Sequence, residues 1–174
     1  MQTNHLIPPG RWRRFACMIY EGMLLFGLVF LAGLLFDVVT DSRHALKLRI
    51  GRQLFLFALI SIYFLSAWLK SGQTLAMKTW HIRLQNRSTA PLTLGQLLLR
   101  YALMWVFPLL TALLIEIIAK QTGQPALSLL IIFAPFSNFF YTWFDPDKQF
   151  AHDRLCHTVL VDARPTKYRD EPTT

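Results

Sequence analysis

Long apolar stretches alternate with short polar blocks along the whole chain. The first, residues 15–36, reaches roughly 33 Å at about 1.5 Å per helical residue, enough for a hydrocarbon layer of about 30 Å. Residues 53–69 form a second stretch near the short limit of about 17 residues for a crossing. The third, 97–119, holds Arg100, Pro108 and Glu116; the fourth, 126–144, holds Pro135, Ser137 and Asn138. Lipid cannot satisfy an unpaired backbone group and four short strands cannot close a barrel, so these stretches are expected to be helices. The pattern predicts an all-α membrane protein, a four-transmembrane-helix bundle. The run after Arg11, Arg13 and Arg14 is too long for a signal-peptide core and ends without a small-residue cleavage site, so it reads as an uncleaved first span. Residues 1–14 then form an N-terminal segment, 15–162 the membrane domain and 163–174 a tail expected to be disordered.

The longest connection, residues 70–96, carries a different signal. Apolar and polar residues alternate over 80–84, the pattern of a short strand, and 158–161 is a second run of β-formers. An isolated strand is unstable, so the two are expected to pair as a small cytoplasmic β element. Thr93 followed by Gln96 is a capping-box pattern, which predicts a helix starting there, lying along the membrane surface, and then turning into the third span.

Charge orients the chain. Thirteen of the eighteen lysines and arginines fall in the N-terminal segment, the middle connection with the start of span three, and the C-terminal tail. The positive-inside rule therefore puts both termini in the cytoplasm of a multi-pass protein of the bacterial inner membrane, with residues 37–52 and 120–125 outside. The formal net charge of +8 is explained by these span-end cations; no aromatic-rich basic surface accompanies it, so nucleic acid is not an expected partner. Cys17 and Cys156 lie in dissimilar settings and read as unpaired thiols. No nucleophile elbow, phosphate loop or HExxH pattern is present, so neither enzymatic activity nor a cofactor is expected.

Among the span residues Glu21 is the most informative. It sits about 9 Å inside the first span, where an ionised acid costs on the order of 2.5–3.5 kcal/mol, so it should face protein or water rather than lipid. Tyr63 and Asn138 lie at similar depths from the inner ends of their spans and are expected to form a polar layer with it. Asn and Tyr also serve as ordinary interhelical hydrogen-bonding groups. Arg14, two turns before Glu21, and Asp153 both lie on the cytoplasmic side and are expected to form an ion pair. Arg100 is near enough to the surface to snorkel, and Glu116 precedes Lys120 by a favourable four residues. His152, Asp153 and His157 have two histidines five apart with an acid but lack a fourth ligand, so no metal site is expected.

The run from Arg13 to Glu21, the Gly72-Gln73-Thr74 turn, and Ala151-His152-Asp153-Arg154 with Thr158-Val159 resemble the RDD family of bacterial membrane proteins, named for one arginine and two aspartates. By position the family arginine falls on Arg14 and its C-terminal aspartate on Asp153. Its first-helix aspartate falls on Glu21, the same carboxylate with one more methylene. The resemblance implies an integral membrane protein, with transport of an unidentified ligand as the activity usually suggested. Two readings follow. One is a small transporter of protons, monovalent cations or another ligand, acting through Glu21 and assembled as a homo-oligomer within the lipid bilayer. The other is a non-transporting assembly or interaction module with a cytoplasmic docking surface.

Overall fold

The structure, a computed structural model, describes residues 8–40, 48–88, 90–143, 145 and 149–164, apart from the Phe140 side chain. Residues 1–7 of the expected N-terminal segment, 41–47 of the first outer connection, Phe144 and residues 165–174 of the expected tail lie outside the described residues. The elements run in the order α1 (Arg11–Val39), α2 (Arg49–Ser71), α3 (Leu75–Thr79), β1 (Ile82–Asn86) and α4 (Leu94–Thr122). A 3₁₀ helix (Pro125–Phe136), α5 (Ser137–Tyr141), α6 (Ala151–Leu155) and β2 (Thr158–Asp162) follow.

Three helices, α1, α2 and α4, are long and apolar enough to cross a membrane. Most of their apolar surface is uncovered by protein: Phe26, Leu31 and Val39 on α1 and Leu113 and Leu114 on α4 are all exposed. Exposure of that many large side chains is favourable only where the surroundings are themselves apolar.

The fourth stretch departs from expectation. No α-helix spans 126–144; the chain instead forms the twelve-residue 3₁₀ helix and then a five-residue α5, together shorter than the three crossing helices. Pro135 contributes to this: it has no N–H to donate, and in an α-helix its ring would press on the carbonyl four residues back, that of Ile131. The expected surface helix before span three is also absent. The capping box forms, with Thr93 Oγ1 accepting from Gln96 N at 3.3 Å and Gln96 Oε1 accepting from Thr93 N at 3.2 Å. The helix it opens continues without a turn to Thr122, because both ends of the box point the backbone straight into the apolar run.

At one end of the helices sits a two-stranded antiparallel sheet, β1 on β2, pairing Ile82 with Asp162 and Asn86 with Thr158. The first strand starts two residues later than its alternation suggests, since Trp80 and His81 form a turn and His81 adopts φ 53°. Each edge of the sheet is partly occupied. Leu84 N donates to Gly72 O at 2.8 Å, and Gln73 Nε2 donates to Ile82 O at 2.7 Å. On the other side the Gln149 side-chain amide serves as a surrogate strand, its Oε1 accepting from Leu160 N at 3.0 Å. Gly72 closes α2 in the left-handed conformation, φ 68°, and a Cβ placed there would stand 2.6 Å from the Leu84 carbonyl oxygen. Only glycine permits both the turn and this approach.

The buried core gathers where the helices meet the sheet: Phe64, Trp68, Met77, Ile82, Leu84, Leu97, Tyr101, Phe150 and Leu160 pack together there. At the opposite end Arg52 pairs with Asp37 at 3.2 Å and Lys120 with Glu116 at 3.3 Å, the latter as expected, with Ser128 donating to Glu116 at 3.0 Å. Chain direction alternates accordingly, α1 leaving the sheet end, α2 returning, α4 leaving and the 3₁₀ helix returning.

Candidate functional site

Two polar clusters lie where the helices approach the sheet. The first is built on Glu21 of α1. Tyr63 of α2 donates its hydroxyl to Glu21 Oε1 at 2.7 Å, and the Thr74 hydroxyl donates to Oε2. Thr74 is also the N-cap of α3, accepting from Met77 N at 3.2 Å. One acid therefore ties α1, α2 and α3 together, and no cation pairs with it among the described residues.

Tyr63 thus meets Glu21, but Asn138 belongs elsewhere. Its Nδ2 donates to the backbone carbonyl of Met104 at 2.8 Å. The reason lies four residues on, where Pro108 sits inside α4 and offers no N–H to that carbonyl. A carbonyl left bare in an apolar setting is costly, and Asn138 satisfies it from the neighbouring strand of chain. The polar layer is therefore a pair, Glu21 with Tyr63, completed by Thr74 rather than Asn138. Thr74 went unassigned in the sequence because a hydroxyl after a glycine turn looks like ordinary turn chemistry.

The second cluster centres on Asp153 of α6, fully buried. Its partner is Arg100 of α4, Nε to Oδ1 at 2.6 Å, with Thr158 Oγ1 donating to the same oxygen at 3.1 Å. No ion pair joins Arg14 to Asp153. Arg100 does not snorkel: it is 5 % exposed, and its guanidinium stacks 4.3 Å from the Trp68 ring. Arg14 is 2 % exposed, donates through Nε to Pro9 O at 3.1 Å, and lies 6.0 Å over the Phe150 ring. Its two terminal nitrogens have no hydrogen-bond partner, and neither does Asp153 Oδ2.

Burial alone would raise the Asp153 carboxyl, but the Arg100 guanidinium, His152 and the hydrogen bonds from Arg100 and Thr158 outweigh it and hold it below the usual carboxylate range. Burial pushes the neighbouring His152 down to about 4 against the upward pull of Asp153, so its ring is neutral at pH 7. A third acid, Asp162 at the end of β2, is held by Arg13 at 2.6 Å and Arg164 at 2.8 Å. Burial opposes ionisation there too, yet the hydrogen bonds from both arginines bring this carboxyl to about 2. Arg13 also donates to Trp80 O at 2.6 Å, clamping the start of α1 to the turn before β1. Among the described residues no group of three or more His, Cys, Asp or Glu side chains could hold a metal ion.

The chain matches the RDD family over residues 8–157 and belongs to that family. No curated protein and no solved structure matches it.

Proposed function

We propose that this member of the RDD family is a small transporter of protons, monovalent cations or another small ligand, with Glu21 as its intramembrane acid. The observation that carries this reading is the setting of the Glu21 carboxylate, held by two hydroxyls and, among the described residues, by no cation. An unbalanced carboxylate within a membrane helix is costly, and binding a proton or a cation relieves that cost. Hydroxyls suit both states: each donates to the carboxylate, and either accepts the proton of the neutral acid. Because Thr74 also caps α3, a change in the charge of Glu21 reaches the connection to the sheet as well as α2. Few helices are available to enclose a path, so the transporting unit is a homo-oligomer in the bacterial inner membrane, with both termini cytoplasmic.

The assembly-module alternative finds less support. Its docking surface is the small sheet, and both edges of that sheet already have hydrogen-bond partners. The deciding experiment is ion flux in proteoliposomes. Wild type is expected to carry a pH- or cation-gradient-driven flux that Glu21→Gln abolishes and Tyr63→Phe reduces. No flux from wild type, or full flux from Glu21→Gln, overturns the proposal.

A further inference from the structure

One buried aspartate is bonded to an arginine of one membrane helix, and a second buried arginine, Arg14 of another, has no ion-pair partner among the described residues. Arg100 occupies Asp153 Oδ1. On the other side Asp153 Oδ2 has no hydrogen-bond partner, and the terminal nitrogens of Arg14 have none either. Both residues are almost completely buried, so neither set of atoms is compensated by bulk water. Among the acids, the Asp153 charge acts on Arg14 ahead of Asp145. The remaining support of Arg14 is slight: one bond to Pro9 O and a ring contact at 6.0 Å, the outer limit for a cation–π interaction.

We propose that Asp153 is a shared acceptor, and that a change of Arg14 side-chain rotamer, with Arg13 still clamping the start of α1, docks the Arg14 guanidinium onto Asp153 Oδ2. The Arg100–Asp153 pair then becomes an Arg14–Asp153–Arg100 bridge linking α1, α4 and α6. A carboxylate can accept from two guanidinium groups at once, one on each oxygen, so the bridge forms without breaking the bond to Arg100. His152 adds no competing charge, since its ring is neutral, and its Nε2 stands 3.8 Å from Oδ2, beyond hydrogen-bond reach. Arg14 is thus a positioning residue with two places to rest. The device stands independently of what Glu21 binds.

A triple-mutant cycle tests it, read as the thermal midpoint of the full chain in detergent micelles. The coupling between Arg14→Gln and Asp153→Asn is measured first with Arg100 intact and then with Arg100→Gln. If Asp153 is shared, removing Arg100 hands it to Arg14, and the coupling grows by about twofold or more. An equal, smaller or vanishing coupling in the second background overturns the proposal and leaves Arg14 held by fixed water or by packing alone. Should Arg100→Gln fail to fold, Arg100→Lys serves, because a point charge loses the directed Nε bond.

Discussion

Replacing Asp153 by Asn isolates the charge of the central ion pair. The substitution keeps an oxygen at Oδ1 for the Thr158 hydroxyl and nearly the same volume, so its principal effect is to leave Arg100 cationic without a counter-charge. Arg100 is 5 % exposed and cannot turn to water. Breaking a buried pair on one side costs about 3–5 kcal/mol. The Trp68 ring, 4.3 Å from the guanidinium, stays in place and offsets about 1–2 kcal/mol of that. A net loss of about 1–4 kcal/mol is expected. In a chain of this length each kcal/mol moves the melting midpoint by about 2–4 °C, which gives a fall of roughly 2–16 °C. Thermal melting in detergent, followed by tryptophan fluorescence, measures it. The companion variant Arg100→Met and the double variant complete the cycle, and the double variant should cost clearly less than the two singles combined. A fall under about 2 °C for Asp153→Asn, or strict additivity in the cycle, would refute the assignment of Asp153 to Arg100.

Asn138→Ala should cost about 1–3 kcal/mol by leaving the Met104 carbonyl bare, and Pro108→Ala in the same chain should restore most of the loss by supplying the missing N–H; melting midpoints of the single and double variants decide this. Gly72→Ala should destabilise by about 1–3 kcal/mol, since it adds a left-handed alanine whose Cβ meets the Leu84 carbonyl at 2.6 Å; an unchanged midpoint would contradict the turn geometry. The Asp162 carboxyl, at about 2 in the folded chain and about 3.9 when unfolded, contributes stability that is complete above pH 4 and lost as pH falls towards 2. Arg13→Gln should shrink that acid sensitivity, and acid titrations of melting midpoint for the two chains measure the difference.

Much of the architecture is legible in the chain itself because it depends on local signals. Apolar length marks α1, α2 and α4, alternation marks the strands to within two residues, and Thr93 with Gln96 marks the start of α4. Depth along the helix also brought Glu21 and Tyr63 together, since two antiparallel helices entering from the sheet end keep equal depths side by side. Depth says nothing about azimuth, and there the reading fails. Asn138 faces α4, where the proline four residues past Met104 creates a local demand for a donor. Arg100 looked like a surface anchor because its partner lies 53 residues later, in a helix of only five residues whose placement no local pattern reveals. The signal available was chemical: an arginine within the apolar run is costly unless a carboxylate neutralises it. The 3₁₀ geometry after Pro125 was hidden for a related reason, as apolar composition is the same for either helix type.

The 3₁₀ helix has a mechanical consequence. Its twelve residues, at about 2.0 Å each, extend about 24 Å, whereas an α-helix of the same residues would extend about 18 Å. Conversion between the two forms would shorten the segment by about 6 Å and turn one end about 240° against the other, from three residues per turn to 3.6. Any such winding would drag Asn138 off the Met104 carbonyl and swing Phe139 away from Phe15, which it meets at 5.2 Å. Pro135 opposes that winding over the last turn, where its ring would press on the Ile131 carbonyl, and so favours the register in which Asn138 latches onto α4.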